Sequence, residues 1–287
     1  MKQIKIFIQL TRLNKPIGFM LLFWPCAWGL TLALFFKSEV TLYLKYMLLF
    51  FLGSILMRSA GCIFNDMVDK DFDRKVKRTK KRPIASGKIS VLNAFIYVVL
   101  ICALSLIILL QFNLLTIKLG IASMVLAFAY PFMKRFTYWP QLFLGLTFNW
   151  GIIMGWTSIT NQITIEPVIL YFAAIFWTLG YDTIYGLQDM RDDEIIGVKS
   201  TSIKFKKNIK VFVGACYSLC VLFILILGFS MQVNVYILML SVFFVLSLIY
   251  QMKLFKTNNH KSCLASFKTN NLTGLLIFLF IFAFNFQ

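Results

Sequence analysis

Nine of the eleven carboxylates in this chain fall in two short segments. Asp66, Asp69, Asp71 and Asp73 lie within NDMVDKDFD. Asp182, Asp189, Asp192, Asp193 and Glu194 lie within YDTIYGLQDMRDDE, and only Glu39 and Glu166 fall elsewhere. On a continuous helix, turning about 100° per residue, Asn65, Asp69 and Asp73 form one stripe. Asp66 flanks that stripe and Asp71 points away. In the second segment Asp182, Asp189 and Asp193 share a face, Asp192 sits to the side and Glu194 turns away. Carboxylates so close together repel unless a cation joins them. A set made only of oxygen ligands suits Mg²⁺ rather than Zn²⁺, and Mg²⁺ binds through a few carboxylates plus substrate phosphates. Two such faces in one bundle would hold two cations, or one diphosphate bridged by them. The plainer account is a solvated acidic helix end paired with nearby lysines. The one-face spacing and the scarcity of acids elsewhere weigh against it.

Basic residues complete the constellation. Arg78, Arg82 and Lys88 follow the first segment and Lys199 follows the second. Arginine grips phosphate oxygens in bidentate fashion, so acid, Mg²⁺ and arginine together are equipment for ionising a phosphate-linked group. For any single basic residue, membrane topology is a sufficient reason to be there. Arg58 is different: it lies inside an apolar run, two turns before Asn65 on the same face. A charge within a membrane helix is costly and functional by default; it either pairs with an aspartate or receives an anionic group of a substrate. Trp24, Trp28, Phe64, Tyr130, Tyr181 and Tyr185 lie near helix ends on the acidic side. Aromatic faces stabilise cations, although interfacial belts account for most such residues. His260 is the only histidine, which excludes a histidine metal site. The six cysteines contain no CxxC pair and imply no disulfide framework.

The elements that must position these groups are membrane helices. The chain is 60% hydrophobic and only 14% charged, with a mean hydropathy of +0.80. A span needs about 20 apolar residues. Nine runs qualify, near 16–36, 42–64, 91–111, 114–132, 140–157, 167–187, 209–229, 233–250 and 271–286. They leave no room for a soluble domain, so residues 1–287 are expected to form one all-α helical bundle. The first run reads as a span, not as a cleaved signal, and no transit peptide is apparent. Of the 29 basic residues, 25 fall in the tail and in alternate loops on one side. This positive-inside pattern predicts a cytoplasmic amino terminus, an external carboxyl terminus and cytoplasmic acidic segments. It also explains the net charge of +18 without nucleic acid. The second and sixth runs each end in an acidic segment followed by a basic loop, a faint repeat consistent with two four-helix halves and an added ninth helix.

The motifs match a known family. RSAGCIFNDMVDKDFDRKVKRTKKRPIASGKIS resembles the first motif of the UbiA superfamily of membrane prenyltransferases, NDxxDxxxD followed by RTxxRP. YDTIYGLQDMRDDEIIGVKST resembles the second, DxxxD, at Asp189 and Asp193. RLNKPIGFMLLFWP and FKTNNLTG are similar to the branch that acts on 4-hydroxybenzoate. The resemblance covers essentially the whole chain. It implies nine transmembrane helices around a central cavity with a cytoplasmic mouth and a lateral lipid opening, in the inner membrane of a bacterial cell. It implies Mg²⁺-dependent transfer of a polyprenyl group from its diphosphate to the ring carbon beside the hydroxyl of 4-hydroxybenzoate, in ubiquinone synthesis, with no obligate protein partner.

Carried onto this chain, the resemblance assigns Asn65, Asp66, Asp69 and Asp73 to the first Mg²⁺–diphosphate motif and Asp189 and Asp193 to the second. Asp69, Asp73, Asp189 and Asp193 would be catalytic. Arg78 and Arg82 would bind diphosphate, with Lys134 and Lys199 as further basic contacts, and Arg58 would receive the carboxylate of the acceptor. An aspartate of the second segment, with Asp189 the candidate, would polarise the phenol or take the ring proton. Homogentisate or a dihydroxynaphthoate remains an alternative acceptor. In another class, a divalent-cation transporter would need its carboxylates near the bilayer midplane, whereas these lie at helix ends. A phosphatidyltransferase would need an Asp–Gly–Ala–Arg pattern that the sequence lacks.

Overall fold

The computed structural model describes residues 2–286, with Lys2 as backbone alone. Met1, Gln287 and the Lys2 side chain counted in the charge pattern lie outside the described residues. The first helix, α1 (Lys2–Thr11), precedes the spans. The spans begin with α2 (Ile17–Phe36) and α3 (Val40–Val68), and a short α4 (Lys70–Lys75) follows. Then come α5 (Val91–Leu109), α6 (Leu114–Phe136), the abutting α7 (Pro140–Asn149) and α8 (Gly151–Thr160), and α9 (Ile165–Gly186). Two short helices, α10 (Met190–Ile196) and α11 (Thr201–Lys204), lead into α12 (Ile209–Ser230). The chain closes with α13 (Val235–Met239), α14 (Ser241–Leu254) and α15 (His260–Ala283). Among the described residues there is no strand, and nine helical stretches are long and apolar enough to cross a membrane. The protein is a multi-pass membrane protein, as helices satisfy their own backbone polar groups in lipid.

The expected spans and the helices agree except at the last. The run expected at 271–286 belongs to a helix that begins at His260. Asn259 starts it by accepting from the amides of Lys261 and Ser262, at 3.0 and 3.2 Å, as an N-cap should. Its polar first half reads as loop, yet Asn270 is fully buried. Asn270 Oδ1 accepts from Trp177 Nε1 at 2.8 Å, and Asn271 Oδ1 accepts from Trp24 Nε1 at 2.9 Å. These polar groups face tryptophans inside the bundle, which is why hydropathy alone misses the helix.

Close packing of α2 on α8 fixes the centre. Without a hydrophobic driving force in lipid, small residues let backbones approach. A Cβ on Gly29 would lie 2.0 Å from the Ile152 carbonyl oxygen, and one on Gly155 would lie 2.4 Å from that of Cys26. Asn149, at the α7–α8 junction, ties this pair to α9. Its amide donates to the Ala174 carbonyl at 3.1 Å and to Thr178 Oγ1 at 2.8 Å. The outer helices include α5 and α6, with only 22% and 17% of their most apolar stretches buried, and the α13–α14 span at 22%. Replacing Gly29 by Leu should therefore destabilise the protein by at least about 3 kcal/mol, since the obstacle is backbone and not a movable side chain. Thermal unfolding in detergent should show the loss, whereas Gly53→Leu, with open space around that residue, should leave the midpoint nearly unchanged.

Candidate active site

The first acidic segment does not continue α3 as a straight helix. The helix ends at Val68, and Asp69 takes up φ −94°, ψ 6° before α4 begins. The phase nevertheless survives, because the Asp69 amide donates to the Asn65 carbonyl at 2.9 Å and the Asp73 amide to the Asp69 carbonyl at 2.8 Å. Arg135 holds the break. It donates to the Val68 carbonyl at 2.7 Å, taking a group left unpaired at the helix end, and lies over the Phe72 and Phe132 rings. Asp66, Asp69 and Asp73 are consequently all buried, and Asp71 faces outward. Asn65 donates to Asp69 Oδ2 at 3.0 Å.

The second segment also departs from the single expected helix. After α9 ends, Asp189 precedes α10, and its carbonyl accepts from the Asp193 amide at 2.8 Å. Asp182 thus belongs to the end of α9, and Asp189 and Asp193 to a separate turn. All three line the same cavity as the first segment. Glu194 turns away to Lys206 at 2.5 Å. Gly197, at φ +76°, ends α10 in the left-handed conformation that glycine adopts without penalty. The following Lys199 amide donates to the Lys134 carbonyl at 2.9 Å.

Four of these carboxylates, Asp66, Asp69, Asp73 and Asp189, meet basic side chains. Asp66 Oδ1 accepts from Arg12 at 2.5 Å and from Arg82 at 2.9 Å, and Arg82 also reaches Asp73 at 2.8 Å. Lys134 pairs with Asp69 Oδ2. Arg78 grips Asp189 with two nitrogens, Nε at 2.7 Å and Nη2, and lies over the Tyr185 ring. Arg78 therefore joins the two acidic segments across the mouth of the cavity. Burial acts to lower the Arg78 pKa, but the hydrogen bonds that Arg78 donates to Asp189 and Tyr185, together with the charges of those two groups, raise it. Burial raises the Asp73 pKa against the pull of Arg82. Burial, reinforced by the charge of Asp189, pushes Asp193 up to about 7.

Two expected roles change. Lys199 is not part of the cavity wall: its ammonium donates to the Phe136 carbonyl at 3.2 Å and lies over Tyr138. Its contribution is to hold Lys134 through the backbone. Asp189, the candidate base, has both oxygens engaged by Arg78. Arg12, read only as a topological charge, proves to be part of the cluster. It stands at φ +56°, a conformation costing roughly 1–2 kcal/mol for a residue other than glycine, which turns the chain after α1. Its place within RLNKPIG was the one visible signal.

Arg58 makes no ion pair and no side-chain hydrogen bond among the described residues. It lies in the wall of the cavity over the Phe148 ring, 5.3 Å away. A Cβ on Gly18 would come within 2.9 Å of Arg58 Nε, so this glycine leaves space for the guanidinium. The cavity, of about 1170 Å³, runs from the ion pairs past Arg58 to Leu109 and Phe112 at the opposite end of α5.

Among the described residues no three carboxylate, histidine or cysteine side chains converge on a ready-made metal cage. The donor set still suits Mg²⁺ arriving with phosphate. All available ligands are oxygens, and Asp69 Oδ1 is buried without a hydrogen-bond partner, which is costly unless a cation satisfies it.

The UbiA prenyltransferase family model matches residues 22–283. The chain belongs to this family. It is 39% identical over 283 residues to the 4-hydroxybenzoate octaprenyltransferase of Photobacterium profundum, covering 97% of this chain and 96% of that one. It is 46% identical over 230 residues to the mitochondrial 4-hydroxybenzoate polyprenyltransferase of Arabidopsis thaliana, covering 80% of this chain but only 56% of that longer one. The fold is that of a UbiA homolog from Archaeoglobus fulgidus bound to GPP and Mg²⁺, with a TM-score of 0.71 at 18% identity, covering 98% and 100% of the two chains. For a UbiA-family site, the geometry separates the two lysines. Lys134→Gln should weaken binding of Mg²⁺–pyrophosphate about tenfold or more, the worth of one charge-assisted hydrogen bond. Lys199→Gln should leave it within about twofold; calorimetric titration reads both.

Proposed function

We propose that this protein transfers a polyprenyl group from its diphosphate to the ring carbon beside the hydroxyl of 4-hydroxybenzoate. The observation that carries this reading is one cavity with three kinds of surface in sequence. A buried carboxylate–arginine cluster stands at its mouth, a lone arginine in its wall and apolar side chains beyond. Each matches one part of the reaction: diphosphate, aromatic acid and prenyl chain. The names of the relatives and the ligands of the Archaeoglobus fulgidus homolog support the same substrates.

The diphosphate would sit among Arg78, Arg82 and Lys134, which already face carboxylates at the mouth. Asn65, Asp66, Asp69, Asp73, Asp189 and Asp193 are the residues proposed to hold Mg²⁺. Mg²⁺, when bound there, supplies charge neutralisation for the departing diphosphate. The allylic carbon–oxygen bond breaks with its electron pair leaving on the diphosphate. The ring carbon then forms the new carbon–carbon bond and loses its proton to a carboxylate of the second acidic segment. Arg58 would hold the acceptor carboxylate and so orient the ring toward the allylic carbon. Tyr130, Tyr181 and Tyr185 line the cavity and present aromatic faces to the developing cation.

The acidic end is proposed to face the cytoplasm, in the inner membrane of a bacterial cell, on the strength of the 25 basic residues on that side. The decisive assay combines membranes containing the protein, Mg²⁺, polyprenyl diphosphates and a panel of aromatic acids, with products identified by mass. Product from 4-hydroxybenzoate is expected. Exclusive use of homogentisate or a dihydroxynaphthoate would overturn the acceptor, and no prenyl transfer at all would overturn the reaction. Asp69→Ala should abolish turnover at any Mg²⁺ concentration. Arg58→Ala should raise KM for the aromatic acid about tenfold or more with little change in KM for the prenyl donor.

A further inference from the structure

We propose that Gly18 and Phe148 clamp the Arg58 guanidinium in the cavity wall, and that this clamp sets acceptor specificity. It favours aromatic acids whose carboxylate is joined directly to the ring over those that carry it on a one-carbon arm. The inference rests on the proposed role of Arg58 and names the positioning residues behind it.

A guanidinium on a long flexible stem is ordinarily fixed by its charge partner. Arg58 has none. It feels the charge of Asp182, which lines the same cavity, yet closes no ion pair on it among the described residues. Packing holds it instead. The three heavy atoms nearest a Cβ placed on Gly18 are Arg58 Nε, Nη2 and Cζ, at 2.9, 3.6 and 3.7 Å. The guanidinium therefore rests on bare backbone of α2. Phe148 of α7 supplies the second contact, its ring centroid 5.3 Å from Arg58 Cζ, an attraction between cation and aromatic face. Close approach is not general among the glycines of this cavity. Gly53, five residues before Arg58, also lines it and has nothing within 4 Å of a Cβ.

Both contacts belong to the rigid frame. Phe148 immediately precedes Asn149, whose amide donates to Gly145, Ala174 and Thr178. Gly18 lies in the first turn of α2, its amide donating to the Lys15 carbonyl at 3.2 Å. A guanidinium held this way offers a carboxylate one position. A carboxylate joined directly to the ring then carries the ring with it, so the reacting carbon is oriented as well as bound. A one-carbon arm adds a rotatable bond, which must be frozen on binding and leaves the ring free to turn. Displacing the guanidinium reverses the advantage. The rigid acid follows only by moving its ring, whereas the arm swings to meet the new position. A methyl at Gly18 pushes the guanidinium off α2, and loss of the Phe148 ring releases its other side.

The test measures the KM for 4-hydroxybenzoate and the inhibition constant of 4-hydroxyphenylacetate against it, with one prenyl diphosphate throughout. The unmodified protein should prefer 4-hydroxybenzoate about tenfold or more, the scale of one methylene in a fitted site. Gly18→Ala and Phe148→Leu should each remove most of that preference by raising the KM for 4-hydroxybenzoate, with the KM for the prenyl donor within about twofold. Phe148→Tyr, which keeps an aromatic face, should retain the preference, and Gly53→Ala should change neither constant. A preference that survives both Gly18→Ala and Phe148→Leu, or donor and acceptor constants that rise together in both, would overturn the clamp. An unmodified protein that binds the two acids alike would overturn it too. Failure to transfer any prenyl group to 4-hydroxybenzoate would instead overturn the parent reaction and this inference with it.

Discussion

Buried carboxylates in a membrane protein dictate the architecture of this site. An unpaired ionised carboxylate in a dry interior is among the most expensive groups a fold can carry. Asp66, Asp69 and Asp73 are each at most 6% exposed, and every one is answered by a cation. Those cations come from different parts of the chain: Arg12 from the end of α1, Arg82 from the loop before α5, Lys134 from the end of α6. The constraint thereby fixes where these elements sit. It also accounts for the left-handed backbone at Arg12: the strain is small beside the energy of leaving Asp66 with one partner fewer. The hydrophobic interior of α2, α8 and α9 provides a rigid frame, and the ion pairs decide how the loops close over it.

Much of this was legible in the sequence because the physics of membranes is coarse. Apolar run length specifies spans almost directly, and all nine expected runs sit on the helices found, the last covering only the second half of its helix. The start of that last helix was missed for a specific reason. Asn270 and Asn271 look like loop residues by hydropathy, but their partners are the indoles of Trp177 and Trp24, more than ninety positions away. The site was legible through helical phase, which survived even though α3 breaks at Asp69: the hydrogen bonds to Asn65 and from Asp73 carry the turn across the break. Pairwise contact was not legible. Arg12 and Lys199 are both basic residues beside a motif, and nothing local distinguishes the one that reaches Asp66 from the one that turns to the Phe136 carbonyl.

The charge pattern also constrains how ligands can enter. Arg78, Arg82 and Lys134 are the cations available to a diphosphate, and each is already bonded to a carboxylate. An anion can recruit them only by taking them from Asp189, Asp73 and Asp69. Those carboxylates, largely shielded from water, would then be left without a counter-charge, at a cost of several kcal/mol each. A divalent cation alone faces the converse difficulty, displacing lysine and arginine that have nowhere else to pair. The exchange becomes favourable when both arrive together, since the phosphate oxygens receive the basic side chains while the carboxylates receive the metal. For the proposed reaction, diphosphate and Mg²⁺ would thus be thermodynamically coupled ligands of this site. The coupling follows from the ion pairs of the protein itself, and it gives the carboxylate–arginine cluster a second role as a filter against either ion on its own.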